Sequence, residues 1–306
     1  MKKFALFVIL LVTYQVSFSQ DTNKKPKIGL VLSGGGAKGF AHVGVLKVIE
    51  EAGVKIDFIG GTSMGAVIGG LYASGYNATQ IDSIVRVTNF DNLLMDYIPR
   101  SSKSFYEKRN DELYALVLPF NKFKIGAPQA LSKGMFNYNL FNRLTFHVRH
   151  TRDFNKLPIP FLCIATDIEY GEQVVMDKGV LAQALYASSA LPSVFSPVIV
   201  DDRFLIDGGV TNNYPIEEVR KLGADIIIGV DVQNGLRDRN QLRDGTKILF
   251  QITNLQMIEK MKNYSKNTDI YIKPDIKDYG AVSFEKATEI ILRGEEAAFS
   301  VYEKMK

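Results

Sequence analysis

Short apolar runs alternate with longer amphipathic stretches along most of the chain, and this pattern predicts alternating strands and helices. The run Ile28–Leu32 leads into glycines, which favours a strand, whereas 40–52 has helical spacing and ends at Gly53. Asn77 and Gln80 form a capping-box pattern at the start of a later helix. The other predicted strands are 56–59, 161–166, 204–206, 226–232 and 270–272, and the other predicted helices are 64–74, 77–87, 139–148, 180–187, 216–222, 246–264 and 284–304. This order predicts an α/β fold, a three-layer αβα sandwich around a mainly parallel sheet.

The alternation breaks down at 89–152, which we interpret as an irregular, aromatic-rich insertion within a single domain spanning 28–306. Apolar runs at 114–118 and 123–125 predict a short hairpin inside the insertion. Many of its other residues are aromatic, apolar or basic, namely Phe105, Tyr106, Phe120, Phe123, Met135, Phe136 and Tyr138 with Lys122, Lys124, Lys133 and Arg143.

The N-terminal segment 1–19 has the pattern of a signal peptide. Two lysines precede an apolar run at 4–12, which is too short to span a bilayer as a stable helix. Small residues at the −3 and −1 positions predict cleavage between Ser19 and Gln20, with 20–27 left as a polar linker. We therefore expect export to the periplasm, the outer membrane or the medium, and an uncleaved membrane anchor is the alternative.

The amino-acid composition argues against several classes of protein. The chain has 306 residues, 46% of them hydrophobic and 23% charged, which is ordinary for a globular protein. A single cysteine, Cys163, excludes an internal disulfide framework and a multi-cysteine metal site, and three histidines leave little for a histidine-rich centre. The net charge of +4 is too small to indicate a nucleic-acid partner. No metal or cofactor is expected, and the oligomeric state is left open.

A glycine loop follows the first strand and opens the first helix, with the sequence Gly34-Gly35-Gly36-Ala37-Lys38-Gly39. Amide groups at such a helix start carry partial positive charge, which suits a phosphate or a developing oxyanion. The glycines also fit G-x-G-x-x-G, so a dinucleotide-dependent oxidoreductase is an alternative. That site requires an acidic residue at the end of the next strand, but this strand ends in glycines and Asp57 lies at its start. A plain tight turn is the third possibility.

The motif Gly61-Thr62-Ser63-Met64-Gly65 matches G-x-S-x-G between a short strand and a helix. Such a turn, here called the serine elbow, holds a serine hydroxyl away from the backbone, and small residues on either side allow the turn to close. The following helix start favours negative charge near the hydroxyl. The alternative is a structural turn in which Ser63 caps the helix.

A serine nucleophile needs a base, and Asp207 is the strongest candidate. It ends a predicted strand and precedes Gly208 and Gly209, whose small size permits close approach to another backbone. Parallel sheets gather functional groups at the carboxyl ends of their strands, where Ser63 also lies. An Asx-turn role for Asp207 is the alternative. His42 has apolar neighbours and is interpreted as a partly buried structural histidine, and the other two histidines lie in the insertion.

These motifs resemble, in order and approximate separation, those of the patatin-like phospholipase family, and in particular its exported bacterial members. The segment 187–192 (ASSALP) resembles a further block of that family, and the likeness covers about 28–232. The resemblance implies a Ser-Asp dyad without a catalytic histidine, with Ser63 as nucleophile and Asp207 as base. The amides of the glycine loop, chiefly near Gly35 and Gly36, would form the oxyanion hole.

The resemblance further implies a serine lipid acyl hydrolase of the phospholipase A or lysophospholipase type. Its substrate would be a membrane phospholipid or lysophospholipid, with peripheral membrane contact. The insertion would then be a lipid-facing lid or, alternatively, a cover packed over the sheet. A non-enzymatic, exported lipid-binding module with the same fold is a second function to consider. Some bacterial members continue into an outer-membrane barrel, and none is expected within this chain.

Overall fold

The computed structural model describes residues 25–306, apart from 97–99, 114–119, 122, 126–129, 131, 237, 241 and 244. The strands are β1 (Ile28–Leu32), β2 (Phe58–Thr62), β3 (Phe120–Asn121), β4 (Lys124–Ile125), β5 (Phe161–Asp167), β6 (Glu172–Met176), β7 (Val198–Val200), β8 (Arg203–Asp207), β9 (Ile226–Val230) and β10 (Ile270–Ile272). The α-helices are α1 (Ala41–Glu51), α2 (Met64–Ala73), α3 (Ala78–Val87), α4 (Phe90–Met95), α5 (Phe105–Leu113), α6 (Met135–Leu144), α7 (Leu181–Ser188), α8 (Ile216–Lys221), α9 (Gly245–Tyr264), α10 (Ala287–Phe299) and α11 (Tyr302–Met305). The predicted signal peptide and the predicted strand 114–118 lie outside the described residues.

The main sheet is mixed, in the order β10-β9-β1-β2-β5-β8-β7, and β6 pairs with β5 outside this path. Neighbouring strands from β10 to β5 run parallel, whereas β6, β7 and β8 run antiparallel to their partners. Helices cover both faces, which confirms the predicted α/β sandwich with a mainly parallel sheet. The parallel half arises because each crossover between these strands carries a helix.

Two apolar cores lie on opposite faces of the sheet, as the alternation along β1 demonstrates. Leu30 and Leu32 belong to the larger core with α1, α2, α3, α7 and α10, whereas Val31 belongs to the smaller core with α8 and α9. Successive strand residues point to opposite faces, so a strand apolar at every position must be covered on both sides. The continuous apolar runs in the sequence therefore predict this architecture.

The capping box predicted at the start of α3 is present. The Asn77 side chain accepts the Gln80 N–H, and the Gln80 side chain accepts the Asn77 N–H. Several boundaries differ from the prediction by one to three residues, and two helices differ more. The helix predicted at 139–148 is α6, which begins at Met135 and ends at Leu144, and the predicted C-terminal helix is divided into α10 and α11. Strands β6 and β7 were not predicted, because they are short and mostly solvent-accessible and so lack a strong apolar pattern.

The insertion 89–152 contains more regular structure than the sequence predicts, because α4 and α5 lie in it besides the predicted α6. Phe141 on α6 is buried in the larger core, whereas Phe105, Tyr106 and Phe123 are exposed. The insertion therefore packs partly over the sheet and also presents aromatic side chains to solvent. The side chains of Phe120, Lys122 and Lys124 lie outside the described residues. No helix in the described part of the chain is both long and apolar enough to cross a bilayer.

Candidate active site

Strands β2 and β8 meet end to end along one edge of β5. In the register, Thr62 of β2 lies opposite Ile164, and Asp207 of β8 lies opposite the next residue, Ala165. Since β6 pairs with the other edge of β5, β2 and β8 share an edge and run toward each other. The residue after Thr62 therefore comes close to Asp207. The sequence-based reason for this meeting was wrong, because β8 is antiparallel to β5 rather than part of the parallel array.

The serine elbow holds Ser63 in a strained backbone conformation. Ser63 has φ 55° and ψ −125°, outside the regions that non-glycine residues favour. Its side chain does not cap α2, so the alternative of a purely capping serine is excluded. Gly65 lies so close to the end of β1 that an added Cβ would clash with the Leu32 carbonyl oxygen and lie 2.6 Å from the Ser33 carbonyl oxygen. The tight turn thus presents the Ser63 hydroxyl above the helix start, while Thr62 Oγ1 donates to the Asn212 carbonyl at 2.9 Å.

Ser63 and Asp207 form a direct hydrogen bond. Ser63 Oγ donates to Asp207 Oδ2 at 2.6 Å, and the other carboxylate oxygen, Oδ1, accepts the Gly209 N–H at 2.7 Å. The Asx-turn role and the contact with serine therefore coexist, one on each oxygen. Gly208 begins the short 3₁₀ turn that follows. Asp207 is 4% exposed, and burial raises its pKa to about 6, although the bonds from Ser63 and Gly209 oppose that shift.

His42 is a structural residue rather than a partner of Ser63. It is fully buried, and its Nε2–H donates to the Ser33 carbonyl oxygen at 2.8 Å. Burial lowers the pKa of His42 to about 4, so the imidazole is neutral at pH 7. The expectation of partial burial was wrong, and Nδ1 has no hydrogen-bond partner within the described residues. His147 lies elsewhere and its Nε2–H donates to the Ser74 carbonyl oxygen at 2.9 Å, and His150 is exposed.

Some backbone N–H groups of the glycine loop donate hydrogen bonds to other parts of the protein, and others do not. The Gly34 N–H donates to Asn213 Oδ1 at 3.1 Å, and the Ala37 N–H donates to the Ala281 carbonyl oxygen at 2.8 Å. The N–H groups of Gly35 and Gly36, at the start of the 3₁₀ helix Gly36–Phe40, donate to no acceptor within the described chain. The loop approaches the elbow closely, since a Cβ on Gly34 would be 2.8 Å from Ser63 Cβ.

A cavity of about 410 Å³ is lined by Ser63, by Asp207 and by the glycine loop from Gly34 to Gly36. Lys38 also lines it and is buried. Most of the remaining wall is apolar, including Met64, Val67, Ile68, Leu71, Val85, Leu94, Leu140, Phe141, Leu144 and Phe284. The volume lies within the range of small-molecule sites. An apolar wall beside the Ser63–Asp207 pair suits a long hydrocarbon chain that ends in a polar group.

Two supporting residues were not identified from the sequence. Ser188 Oγ accepts the Ser63 N–H at 3.0 Å, so the 187–192 segment holds the elbow in place. Asn213 bonds Gly34 in both directions, because its Nδ2 also donates to the Gly34 carbonyl oxygen at 3.1 Å. The only available signal for Asn213 was its position a few residues after the Asp207 turn. In the described residues no group of three or more His, Cys, Asp and Glu side chains is arranged to hold a metal ion.

The sequence of this chain is similar to one protein family and to longer proteins from other organisms. A family profile described as "Patatin-like phospholipase" matches residues 30–220. The chain is 29% identical over 289 residues to "Lysophospholipase NTE1" of Debaryomyces hansenii, covering 86% of this chain and 17% of that protein. It is 30% identical over 294 residues to "Patatin-like phospholipase domain-containing protein ZK370.4" of Caenorhabditis elegans, covering 87% and 20%. The chain thus spans about a fifth of the length of these relatives.

Among solved structures, the chain is similar to VipD from Legionella pneumophila, with a TM-score of 0.52 and 16% sequence identity. The match covers 92% of this chain and 67% of that chain. At this identity the similarity supports the fold alone, and the chemistry must be argued from the site.

Proposed function

The chain belongs to the patatin-like phospholipase family, and we propose that it is a serine lipid acyl hydrolase that uses Ser63 and Asp207. The observation that carries the proposal is the 2.6 Å hydrogen bond between the two side chains at the wall of an apolar cavity. A pKa of about 6 keeps Asp207 ionised at pH 7 yet basic enough to accept a proton. The substrate would be a membrane phospholipid or lysophospholipid, with its acyl chain in the cavity.

In the proposed mechanism, Ser63 Oγ attacks the ester carbonyl carbon while its proton passes to Asp207 Oδ2. The carbonyl oxygen becomes an oxyanion, stabilised by the N–H groups of Gly35 and Gly36, and such a donor is typically worth about 2.7–4 kcal/mol. The tetrahedral intermediate collapses, and the leaving alcohol takes the proton from Asp207. A water molecule then gives a proton to Asp207 as its oxygen attacks the acyl-enzyme carbonyl carbon. The second tetrahedral intermediate collapses, the bond to Ser63 Oγ breaks, and Asp207 returns the proton to Ser63 Oγ as the fatty acid leaves.

A fluorophosphonate probe tests this proposal directly. The wild type is expected to be labelled at Ser63 and to hydrolyse a chromogenic fatty ester, because both reactions need an activated serine. A non-enzymatic lipid-binding module would bind lipid without label or turnover. A dinucleotide-dependent oxidoreductase would also remain unlabelled. That alternative is disfavoured further because Asp57 accepts the Ile28 N–H at the opposite end of β1 from the glycine loop. Absence of label from folded protein would contradict the hydrolase proposal.

We also propose peripheral membrane contact at the mouth of the cavity. Met95 and Val282 line the cavity and are 68% and 58% exposed, so they form part of its rim. Apolar side chains at a rim can enter the lipid interface, where burial of each contributes favourably. The exposed aromatics of the insertion, Phe105, Tyr106 and Phe123, are further candidates for this contact.

The double variant Met95→Ser/Val282→Ser is expected to bind vesicles of mixed phosphatidylcholine and phosphatidylglycerol roughly tenfold more weakly than the wild type. Co-sedimentation measures this directly. Leu292→Ser is the matched control, because Leu292 is 52% exposed on α10 and does not line the cavity. Equal losses in both variants, or no vesicle binding by the wild type, would contradict membrane contact at this rim.

Export is a separate proposal that rests on the sequence of 1–19, which lies outside the described residues. After expression in a bacterial host with its leader intact, the protein is expected to be recovered outside the cytoplasm with Gln20 as its first residue. Intact-mass spectrometry distinguishes this form from one that keeps Met1. A retained Met1 would contradict cleavage.

A further inference from the structure

Gln233 has a buried side-chain carboxamide that forms no hydrogen bond within the described chain. The residue is 8% exposed, and within the described chain neither Oε1 nor Nε2 has a hydrogen-bond partner. A buried, unpaired carboxamide costs free energy, and such a group calls for an explanation when it occurs beside a functional site. Gln233 does lie beside one, because it lines the cavity that contains Ser63 and Asp207.

The backbone of Gln233, in contrast, is held firmly. Its N–H donates to Asp231 Oδ1 at 2.9 Å, and its carbonyl oxygen accepts from the Lys273 ammonium. Lys273 also pairs with the other carboxylate oxygen, Asp231 Oδ2, at 2.7 Å, and the Tyr271 hydroxyl donates to Oδ2 at 2.6 Å. This network fixes the position of Gln233 and leaves only its flexible side chain without partners.

Gln233 also lies on the boundary between two cavities of different character. The segment 233–235 lines both the apolar cavity with the Ser63–Asp207 pair and a second cavity of about 650 Å³. The second cavity is lined by charged groups of both signs, including Lys273, Asp275, Lys277 and Asp278. An amphipathic ester with its acyl chain in the first cavity and its head group toward the second places its glycerol portion at this boundary.

We propose that the Gln233 carboxamide rotates to bind a free hydroxyl on the alcohol side of the scissile ester, and thereby selects monoacyl over diacyl glycerolipids. A carboxamide has donors on nitrogen and an acceptor on oxygen, and a hydroxyl group offers both complementary functions. A second ester in the same position has only acceptors, so it would leave Oε1 of Gln233 unpaired. Sites that hydrogen-bond a substrate hydroxyl discriminate strongly against analogues that lack it. The inference rests on the proposed hydrolase function and specifies its substrate class.

Binding without turnover tests this inference. In a Ser63→Ala background, titration calorimetry would compare a medium-chain 1-acyl lysophosphatidylcholine with its 2-deoxy analogue, both below their micelle concentrations. We expect the hydroxyl ligand to bind roughly 10- to 100-fold more tightly. Adding Gln233→Met is expected to bring the ratio close to one, mainly by weakening the hydroxyl ligand, because Met has a similar shape without the amide. Gln183→Met, on α7 and outside both cavities, should keep the preference.

Equal binding of the two ligands to protein that retains Gln233, or a preference that persists in Gln233→Met, would overturn the role of Gln233. Gln233→Met is expected to melt at or above the temperature of its parent, since it removes an unpaired buried amide. If it fails to fold, Gln233→Leu replaces it, and the ligand comparison in the parent still decides. The hydrolase proposal is tested separately by the fluorophosphonate label on wild-type Ser63, so the two failures are distinguishable.

Discussion

Replacing Ser63 by alanine is expected to lower kcat/KM for a fatty ester by roughly 10⁴- to 10⁶-fold, because the variant lacks the attacking oxygen. No nearby hydroxyl takes over readily. Ser189 also lines the cavity, but its Oγ donates to the Leu185 carbonyl oxygen at 2.8 Å. Steady-state hydrolysis and fluorophosphonate labelling measure the loss. Ser74→Ala is the control, since Ser74 is a buried serine that bonds the Leu71 carbonyl oxygen and does not line the cavity.

The backbone at Ser63 allows a second, structural comparison. Its φ of 55° with ψ of −125° is a conformation that glycine adopts without the steric cost of a Cβ. Ser63→Gly is therefore expected to be as inactive as Ser63→Ala but more stable than it, by roughly 1 kcal/mol. Thermal unfolding of the two variants gives the difference. If either variant kept activity near the wild-type level, the nucleophile would have to be a residue other than Ser63.

Replacing Asp207 by asparagine is expected to lower kcat roughly 10²- to 10⁴-fold, because the amide cannot accept the proton that Ser63 releases. The substitution preserves the shape of the side chain, and the amide oxygen can still accept the Gly209 N–H. The loss should therefore appear in kcat with little change in the fold. Asp153→Asn is the control, because Asp153 is a partly exposed residue that caps a short turn and does not line the cavity. An asparagine variant with wild-type kcat would contradict the role of Asp207 as base.

The activity of the wild type should also report the titration of Asp207. The pKa is raised from 3.8 to about 6, and the ionised form is the active one. Activity is therefore expected to be constant above about pH 6 and to fall tenfold per pH unit below it. The pH profile of kcat/KM for a non-ionising ester measures this directly. A profile that stays flat to pH 4 would show that the base titrates elsewhere.

The titration of Asp207 also affects the stability of the fold. A salt-bridged carboxylate has a lowered pKa, so its ionisation favours folding, whereas the raised pKa of Asp207 means that its ionisation opposes folding. Because the pKa is higher in the folded state, the folded protein binds the proton more tightly, and stability falls as pH rises from about 4 to about 6. Above pH 6, Asp207→Asn is expected to be more stable than the wild type by up to about 3 kcal/mol, a difference that disappears below about pH 4. Ser63→Ala removes the hydrogen bond from Ser63, which lowers the Asp207 pKa. The variant should therefore show the pH-dependent change in stability at a higher pH. Urea unfolding across this pH range is the measurement.

Local chemistry in the sequence was sufficient to predict much of the fold and to propose Ser63 and Asp207 as candidate site residues. The continuous apolar run of β1 needs cover on both faces, which predicts the sandwich whatever the details of topology. The glycines of the elbow limit which backbone turn is possible, which singles out Ser63. The sequence was less informative where burial is partial, as in β6 and β7, because neither face of such a strand has a clear apolar pattern.

The meeting of Ser63 with Asp207 was decided by tertiary structure. The two residues are 144 positions apart, and their contact depends on β2 and β8 ending at neighbouring positions on the same edge of β5. Strand order and direction come from long-range pairing, which no local pattern encodes. The raised pKa of Asp207 and the unpaired amide of Gln233 depend in the same way on what surrounds them, because burial is a property of the packed chain and not of a residue type.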